Sequence, residues 1–310
     1  SASVAFYNLD NLFDLVDDTL HNDDDFTPNG KYQWNTERYH LKLKNLNKVI
    51  TAINDGNAPD ILGVCELESA LAFQDLLQTK GLKNKYKMVH FDSDDERGID
   101  VALAFNHQKF TLIEAQNYPV KLSQDSNDRT RDILYVKLKS QINNDTLSVV
   151  VCHFPSRREG KAESEQNRID AGNTIQSVLK SKCHSLSQVI VMGDFNDQPW
   201  DKSLTQGIGA LSRDKCPDCF LQNLCFELKA GEGSYKFRGH WERLDQIIVS
   251  KGLLDGKGID YLPASLKIMK ENWMLQKGKF EGYPLRTFGG DKWLNGYSDH
   301  LPISIKLSLN

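Results

Sequence analysis

Apolar and polar positions follow two distinct rhythms along this chain. Residues 189–192, Val-Ile-Val-Met, form a continuous run rich in β-branched side chains. Such a run suits a strand covered on both faces. Comparable runs at 3–8, 61–65, 87–91, 101–105, 110–114, 133–138, 147–151, 244–249 and 301–307 predict further strands. The second rhythm is helical. Tyr39, Leu41, Leu43, Leu46, Val49, Ile50 and Ile53 recur mostly every three or four residues, predicting an amphipathic helix over 36–53 with a basic outer face. Thr36 is the expected cap, and Ala58-Pro59-Asp60 ends the element. Residues 70–79 predict a second helix. Residues 163–179 predict a third, with Ile169, Gly172, Ile175, Val178 and Leu179 facing inward. The acidic stretch 14–30, the segment 201–240 and the glycine-containing stretch 278–296 read as loops. There is no repeat, low-complexity tract or linker. The expectation is one α/β domain over 1–310, with two sheets inside and helices outside.

Composition narrows the function classes. The 310 residues carry 38 Lys and Arg against 42 Asp and Glu, a formal net charge of −4. A protein that binds duplex nucleic acid tightly and without sequence preference usually has a basic surplus. That class is disfavoured, while an enzyme touching phosphates locally is not. No apolar run reaches the roughly 20 residues that span a bilayer, so no integral membrane segment is expected. Cys65 and Cys152 lie inside strand-like runs and read as small buried hydrophobes. Cys216-Pro217-Asp218-Cys219, with Cys225 nearby, leaves three readings open: half a zinc site, a redox pair or a disulfide.

The strand ends carry the chemistry. Gly193 ends the 189–192 run and lets the backbone turn tightly; Asp194 and Asn196 follow, two apart, so extended chain would point them to one side. Alone, this stretch reads as a turn, since Gly, Asp, Asn and Pro all favour turns. Yet Asn8, Glu66, Asp100, His153, Asp245, Asp299 and His300 also adjoin strand-like runs. Seven strand-end clusters drawn from the metal-ligand and acid–base residue types are not a product of surface solvation. If the ends converge, they make one acidic, histidine-containing cleft on a rigid scaffold.

Seven motifs then carry a family resemblance: Tyr7-Asn8-Leu9-Asp10-Asn11-Leu12-Phe13, Cys65-Glu66-Leu67-Glu68, Arg97-Gly98-Ile99-Asp100-Val101-Ala102-Leu103, His153-Phe154-Pro155-Ser156, Gly193-Asp194-Phe195-Asn196-Asp197, Arg243-Leu244-Asp245-Gln246-Ile247 and Tyr297-Ser298-Asp299-His300-Leu301-Pro302. In content and order they resemble the endonuclease/exonuclease/phosphatase superfamily, and its secreted Bacteroidetes-type branch in particular. The resemblance implies a deoxyribonuclease-I-like four-layer α/β (α+β) sandwich, two packed mixed sheets flanked by helices. It also implies Mg²⁺-dependent phosphoester hydrolysis, with Mn²⁺ or Ca²⁺ as alternative ions. Glu66 is then the main metal ligand, because Mg²⁺ binds through one or two carboxylates and keeps several waters. Asn8 supports that ligand or its water, and Asp299 helps at the same or a second metal position. Asp194 and Asn196 orient the attacking water and a phosphate oxygen. His300, held by Asp245, and His153, leaning on the acid at or near Asp100, are the acid–base or phosphate-contacting imidazoles.

Arg129, Arg131, Arg157 and Arg158 are candidate phosphate forks, set against ordinary solvated charge. His21, His40, His90, His107, His184 and His240 carry no motif and read as surface or satisfied histidines. The leading expectation is a secreted or periplasmic, monomeric nuclease acting on DNA or RNA. The alternatives are a phosphatase or sphingomyelinase-type phospholipase and, more remotely, an inactive binding module. The module predicts loss of Glu66, His153, Asp194 or His300, and all four are present.

Overall fold

The computed structural model describes residues 1–16, 21–125 and 127–310; residues 17–20 of the acidic stretch 14–30 lie outside the described residues. The strands and helices follow in order as β1 (Ala2–Leu12), α1 (Thr36–Gly56), β2 (Ile61–Leu67), α2 (Ala70–Leu77), β3 (Tyr86–His90), β4 (Asp100–Asn106), β5 (Phe110–Tyr118), β6 (Ile133–Ser140), β7 (Thr146–His153), α3 (Glu165–Lys182) and β8 (Gln188–Asp194). The later strands are mostly short: β9 (Ala210–Leu211), β10 (Leu221–Asn223), β11 (Tyr235–Phe237), β12 (His240–Glu242), β13 (Asp245–Ser250), β14 (Ile259–Tyr261), β15 (Lys267–Ile268), β16 (Phe288–Gly289), β17 (Lys292–Trp293) and β18 (Ile303–Leu309).

Two mixed sheets result. The first runs β14-β18-β1-β2-β4-β3, with β15 also on β18; the second runs β5-β6-β7-β8-β13-β10-β9. Strict alternation divides their side chains among three cores. On β1, Val4 and Phe6 face the core between the sheets, while Ala5 and Tyr7 join an outer core with Leu46, Val49, Ile50 and Phe73 of α1 and α2. On β7 and β8, Val149, Val151, Ile190 and Met192 face between the sheets, while Val150, Cys152, Val189 and Val191 pack under Ile175 and Val178 of α3. The layers are therefore helix, sheet, sheet, helix, as the apolar runs implied.

The departures are instructive. Asn35, not Thr36, caps α1, accepting the Arg38 backbone N–H. Leu41 is only partly buried; Lys42 is wholly buried instead, its Nζ donating to Thr287 Oγ1 and the Tyr297 carbonyl. On α3, Ile169 is half-buried while Arg168 points fully inward to an ion pair with Asp197, Nε to Oδ2 2.8 Å. A cation with a matched partner can replace a hydrophobe in a core, and periodicity does not see it. Cys216 and Cys219 form a disulfide. Their sulfurs are thus unavailable to zinc, and Cys225 is a free, buried thiol. Among the described residues, no helix is long and apolar enough to cross a membrane.

Candidate active site

The core between the sheets runs out at one end, and its last positions are polar. His153 follows Val149 and Val151 in alternation, Asp194 follows Ile190 and Met192, and Asp245 precedes Ile247 and Val249. All three therefore face between the sheets. Strand register sets them side by side: His153 pairs with Asp194 across β7–β8, and Asp245 with Asp194 across β8–β13. From the opposing sheet, Asn8 continues the inward parity of Val4 and Phe6 and donates Nδ2 to Asp194 Oδ2 at 3.1 Å. Strand alternation and register thus gather four side chains from the two sheets.

Asp194 is the hub. Its Oδ2 lies 3.7 Å from Nε2 of His153 and 3.7 Å from Nε2 of His300, and its Oδ1 accepts the Asn196 backbone N–H at 2.9 Å. Burial pushes its carboxyl up to about 7; the charge of His300 opposes this and that of Asp245 adds to it. The two imidazoles differ. For His300, burial alone would disfavour the charged form, but the carboxylates of Asp245 and Asp194 overcome it and hold the pKa well above the ordinary value. Its Nδ1 sits 2.6 Å from Asp245 Oδ2, and Ser234 Oγ donates to the same carboxylate oxygen. His153 is held well below the ordinary value by burial and by the positive charge of Arg131 and Arg97, and its Nδ1 has no hydrogen-bond partner among the described residues. One imidazole is thus biased toward its charged form and the other toward its neutral form.

This corrects the expectation for Asp100. Asp100 pairs with Leu67 and shares the parity of Ala102 and Ala104, which face the outer, helix-covered core. Its carboxylate takes the Ser93 N–H and hydroxyl and sits 3.0 Å from His90 Nε2, so it does not orient His153. His90 is a satisfied histidine, as expected.

Glu66 reaches the cleft by a different route. Alternation would turn it outward, since Cys65 faces between the sheets. A register shift between Cys65 and Leu67 and a left-handed backbone at Glu66 (φ 58°) bring it to the cleft instead. Left-handed Glu is rare, and such strain clusters at functional sites. Asp10, Asn11 and Asn196 share that conformation. One Glu66 oxygen accepts the Asn11 N–H at 3.1 Å, and the residue is half-buried and lines the cleft. A half-buried carboxylate on the cleft wall with lone pairs to spare is a fitting donor for a hard divalent cation that retains water. Asn8 is otherwise engaged: fully buried, it donates to Asp194 and accepts the Asp10 N–H at 2.9 Å, so its task is to hold the hub. Asp299 Oδ2 lies 3.0 Å from Arg286, with Asp10 close behind. Potential ligand atoms also gather within 4.8 Å of one another in two groups around Asp194, one with Asp245 and His300, the other with His153 and the Cys65 thiol.

The cleft encloses about 620 Å³. Glu66, His153, Asp194, Asn196, Asp299 and His300 line it, as do the expected Arg131, Arg157 and Arg158. Arg129 is not on that surface; its guanidinium donates to the Asp128 carbonyl. Arg131 is buried, holding Asp95 and the Phe154 carbonyl, and Arg157 is paired with Glu242. Arg97, Lys161, Arg238, Tyr235 and Phe237 also line the cleft. Sequence reading missed them. Arg97 stood inside a motif singled out for Asp100, and Arg238-Gly239 between two short apolar–polar runs is a hairpin signal.

A family model described as the endonuclease/exonuclease/phosphatase family matches residues 3–309. The chain belongs to that family. Its members are phosphoester hydrolases, and metal-dependent phosphoester hydrolysis is the activity class of this enzyme. No curated protein matches the sequence. Among solved structures, a humanised D. rerio TDP2 is similar at TM-score 0.63 and 13% identity, covering 99% of this chain and 98% of that one. An endonuclease/exonuclease/phosphatase from Bacteroides vulgatus matches at TM-score 0.60 and 17% identity, covering 100% and 99%. The mannosyl-6-phosphatase Bt3783 of Bacteroides thetaiotaomicron matches at TM-score 0.57 and 16% identity, covering 99% and 100%. These likenesses establish a shared fold.

Proposed function

We propose that this phosphoester hydrolase is a nuclease, cutting phosphodiester bonds of DNA or RNA with Mg²⁺, or Mn²⁺ or Ca²⁺ in its place. The observation that carries the reading is the concentration of cations at one cleft of a net-negative chain. Arg97, Arg131, Arg157, Arg158, Lys161 and Arg238 all line it; Arg131, Arg157 and Lys161 are paired with Asp95, Glu242 and Asp201, and Arg97, Arg158 and Arg238 have no carboxylate partner among the described residues. Several phosphates in a row, rather than one, would use such a rim. A D. rerio TDP2 of the same fold has been solved with a single-strand DNA product.

In this reading Glu66 would hold the divalent cation, whose chemistry when bound would be to offset negative charge on the phosphate and the leaving oxygen. Asp194, fixed by Asn8 and by the Asn196 N–H, takes the proton of the attacking water. Asn196 donates Nδ2 to the Phe154 carbonyl at 3.0 Å, which leaves its Oδ1 to orient that water. His300, held cationic by Asp245, donates from Nε2 to a phosphate oxygen, where charge grows in the transition state. Neutral His153 makes one hydrogen bond at Nε2 beside the same phosphate, and the leaving oxygen takes its proton from the cationic His300 as Asp194 takes that of the water. Asp299 stays paired with Arg286 and shapes the field at the metal. We place the enzyme outside the cytoplasm, a reading the Cys216–Cys219 disulfide supports.

The test compares supercoiled DNA, bis-p-nitrophenyl phosphate and a phosphomonoester, each with Mg²⁺ and with EDTA. Nicking abolished by EDTA is the expected result. Cleavage of the monoester without nicking overturns the nuclease reading in favour of a phosphatase, the second reading, which the fold shared with the mannosyl-6-phosphatase keeps in view.

A further inference from the structure

The β11–β12 ribbon stands at the mouth of the cleft with its two faces differently occupied. Alternation puts Lys236 and Trp241 on one face, where Lys236 Nζ lies 4.9 Å from the Tyr283 ring centroid and 5.4 Å from that of Trp241. The tip is fixed too, since the Gly239 N–H donates to Tyr283 Oη at 2.6 Å. Arg238 and Gly239, both at positive φ, make the tight turn. At the ribbon's base Ser234 bonds Asp245, Tyr235 lies over His300 with ring centroids 4.8 Å apart, and Glu242 pairs with Arg157. The other face carries Tyr235 and Phe237, and both line the cleft.

Phe237 is 49% exposed, backed by a ribbon that is tied down at base and tip. An isolated exposed phenylalanine is unremarkable on a protein surface. This one sits on the tied-down ribbon two residues from Tyr235, which packs on His300; Arg238 Cζ lies over its ring, 5.2 Å from the centroid, and has no anionic partner among the described residues. A fixed apolar plane beside a charge-donating fork is the arrangement that recognises a base stacked next to its phosphate.

We propose that Phe237 and Arg238 form a subsite for one nucleobase and the phosphate next to it, so that the substrate is a base-bearing phosphoester. The inference rests on the nuclease reading for its choice of diester and deepens it. Phe237 stacks on the base, and Arg238 contacts the neighbouring phosphate. Both act on binding rather than on the bond being broken.

The experiment measures kcat and KM with Mg²⁺ for a short single-stranded oligonucleotide and for the same backbone with the bases removed. Wild type is expected to prefer the base-bearing strand by about tenfold or more in kcat/KM, the scale of one base–aromatic stack. F237A should bring that ratio near one through KM, and F237W should restore it. R238Q should raise KM for both strands and flatten the dependence on salt. A wild type indifferent to bases, or an F237A variant that keeps the preference, overturns the proposal. If neither strand is cut, the nuclease reading fails by itself, and a nucleoside monophosphate is then compared with a sugar monophosphate. A nucleoside preference abolished by F237A still supports the subsite, and a sugar preference overturns it.

Discussion

Two regions of this molecule contain the same chemical pair, a histidine whose ring nitrogen meets a buried aspartate on a neighbouring element. In one, His300 Nδ1 lies 2.6 Å from Asp245; in the other, His90 Nε2 lies 3.0 Å from Asp100. Only the first lines the cationic cleft. The difference is one of strand parity. Asp245 shares the side of Ile247 and Val249, where the core between the sheets ends in the cationic cleft, while Asp100 shares the side of Ala102 and Ala104 and borders a separate acidic cavity beside Glu68 and Asp95. The further partners differ accordingly. His300 presents its free Nε2 toward Asp194 at 3.7 Å, whereas Asp100 is completed by Ser93 from its own loop. A carboxylate–imidazole pair is therefore a means of fixing charge and orientation. In the proposed mechanism, which of the two serves chemistry follows from the face of the sheet that it occupies.

Single substitutions separate the two regions most sharply. Asp194→Ala or His300→Ala should leave the fold intact and lower kcat/KM by at least about 3 kcal/mol of transition-state stabilisation, more than two orders of magnitude. His90→Ala should do the reverse, with kcat/KM within a few-fold and stability reduced by about 1–3 kcal/mol, because Asp100 loses a buried partner. Steady-state kinetics beside denaturant melts give both readings. Near-normal hydrolysis by His300→Ala, or inactivity of a well-folded His90→Ala, would collapse the distinction.

The carboxylates sharpen it further. Asp245→Asn should cost about two orders of magnitude in kcat, since His300 loses the neighbour that orients it and favours its charged form. Asp100→Asn should leave kcat within about threefold. If the two variants lose activity equally, parity is not what separates the regions.

Legibility in the sequence tracks the same division. The gathered ends Asn8, His153, Asp194, Asp245 and His300 were readable because each adjoins an apolar run that register carries into one cleft. Asp100 adjoins such a run equally well. Strands buried on both faces show no polar alternation, so nothing local says which parity faces the site. Glu66 was legible by motif but not by geometry, because its left-handed backbone is imposed by the bulge and by no feature of Glu itself. Lys42 and Arg168 were hidden for a related reason: their partners Thr287 and Asp197 are supplied by distant segments.

Asp194 makes the pH dependence specific to the cleft. Its carboxyl is raised to about 7 by burial, and in the proposed role it acts only when ionised. Activity should fall as pH drops through about 7, and the divalent cation, which favours the carboxylate, should move that midpoint downward. A pH–kcat/KM profile at two Mg²⁺ concentrations checks it, and an acidic limb that rises toward low pH would remove Asp194 as the base.

The smallest expected effect lies at the cleft's acidic margin. Arg286 has its pKa raised by Asp299, against the opposing effect of burial, and it lies beside Asp10 as well. Burial and Asp10 push Asp299 up to about 6, while Arg286 and His300 pull it back down. A resident guanidinium here both satisfies Asp299 and repels any second cation. Arg286→Gln removes that positive charge and bares the carboxylate, so Mn²⁺ titrated calorimetrically should bind the cleft a few-fold tighter, with Glu66→Gln marking which heat belongs to the cleft. Weaker binding would mean that Arg286 organises the metal ligands more than it opposes the ion. The same substitution should not alter the His90–Asp100 pair, which has its own neighbours, so its effect on stability should stay within about 1 kcal/mol for a partly exposed ion pair.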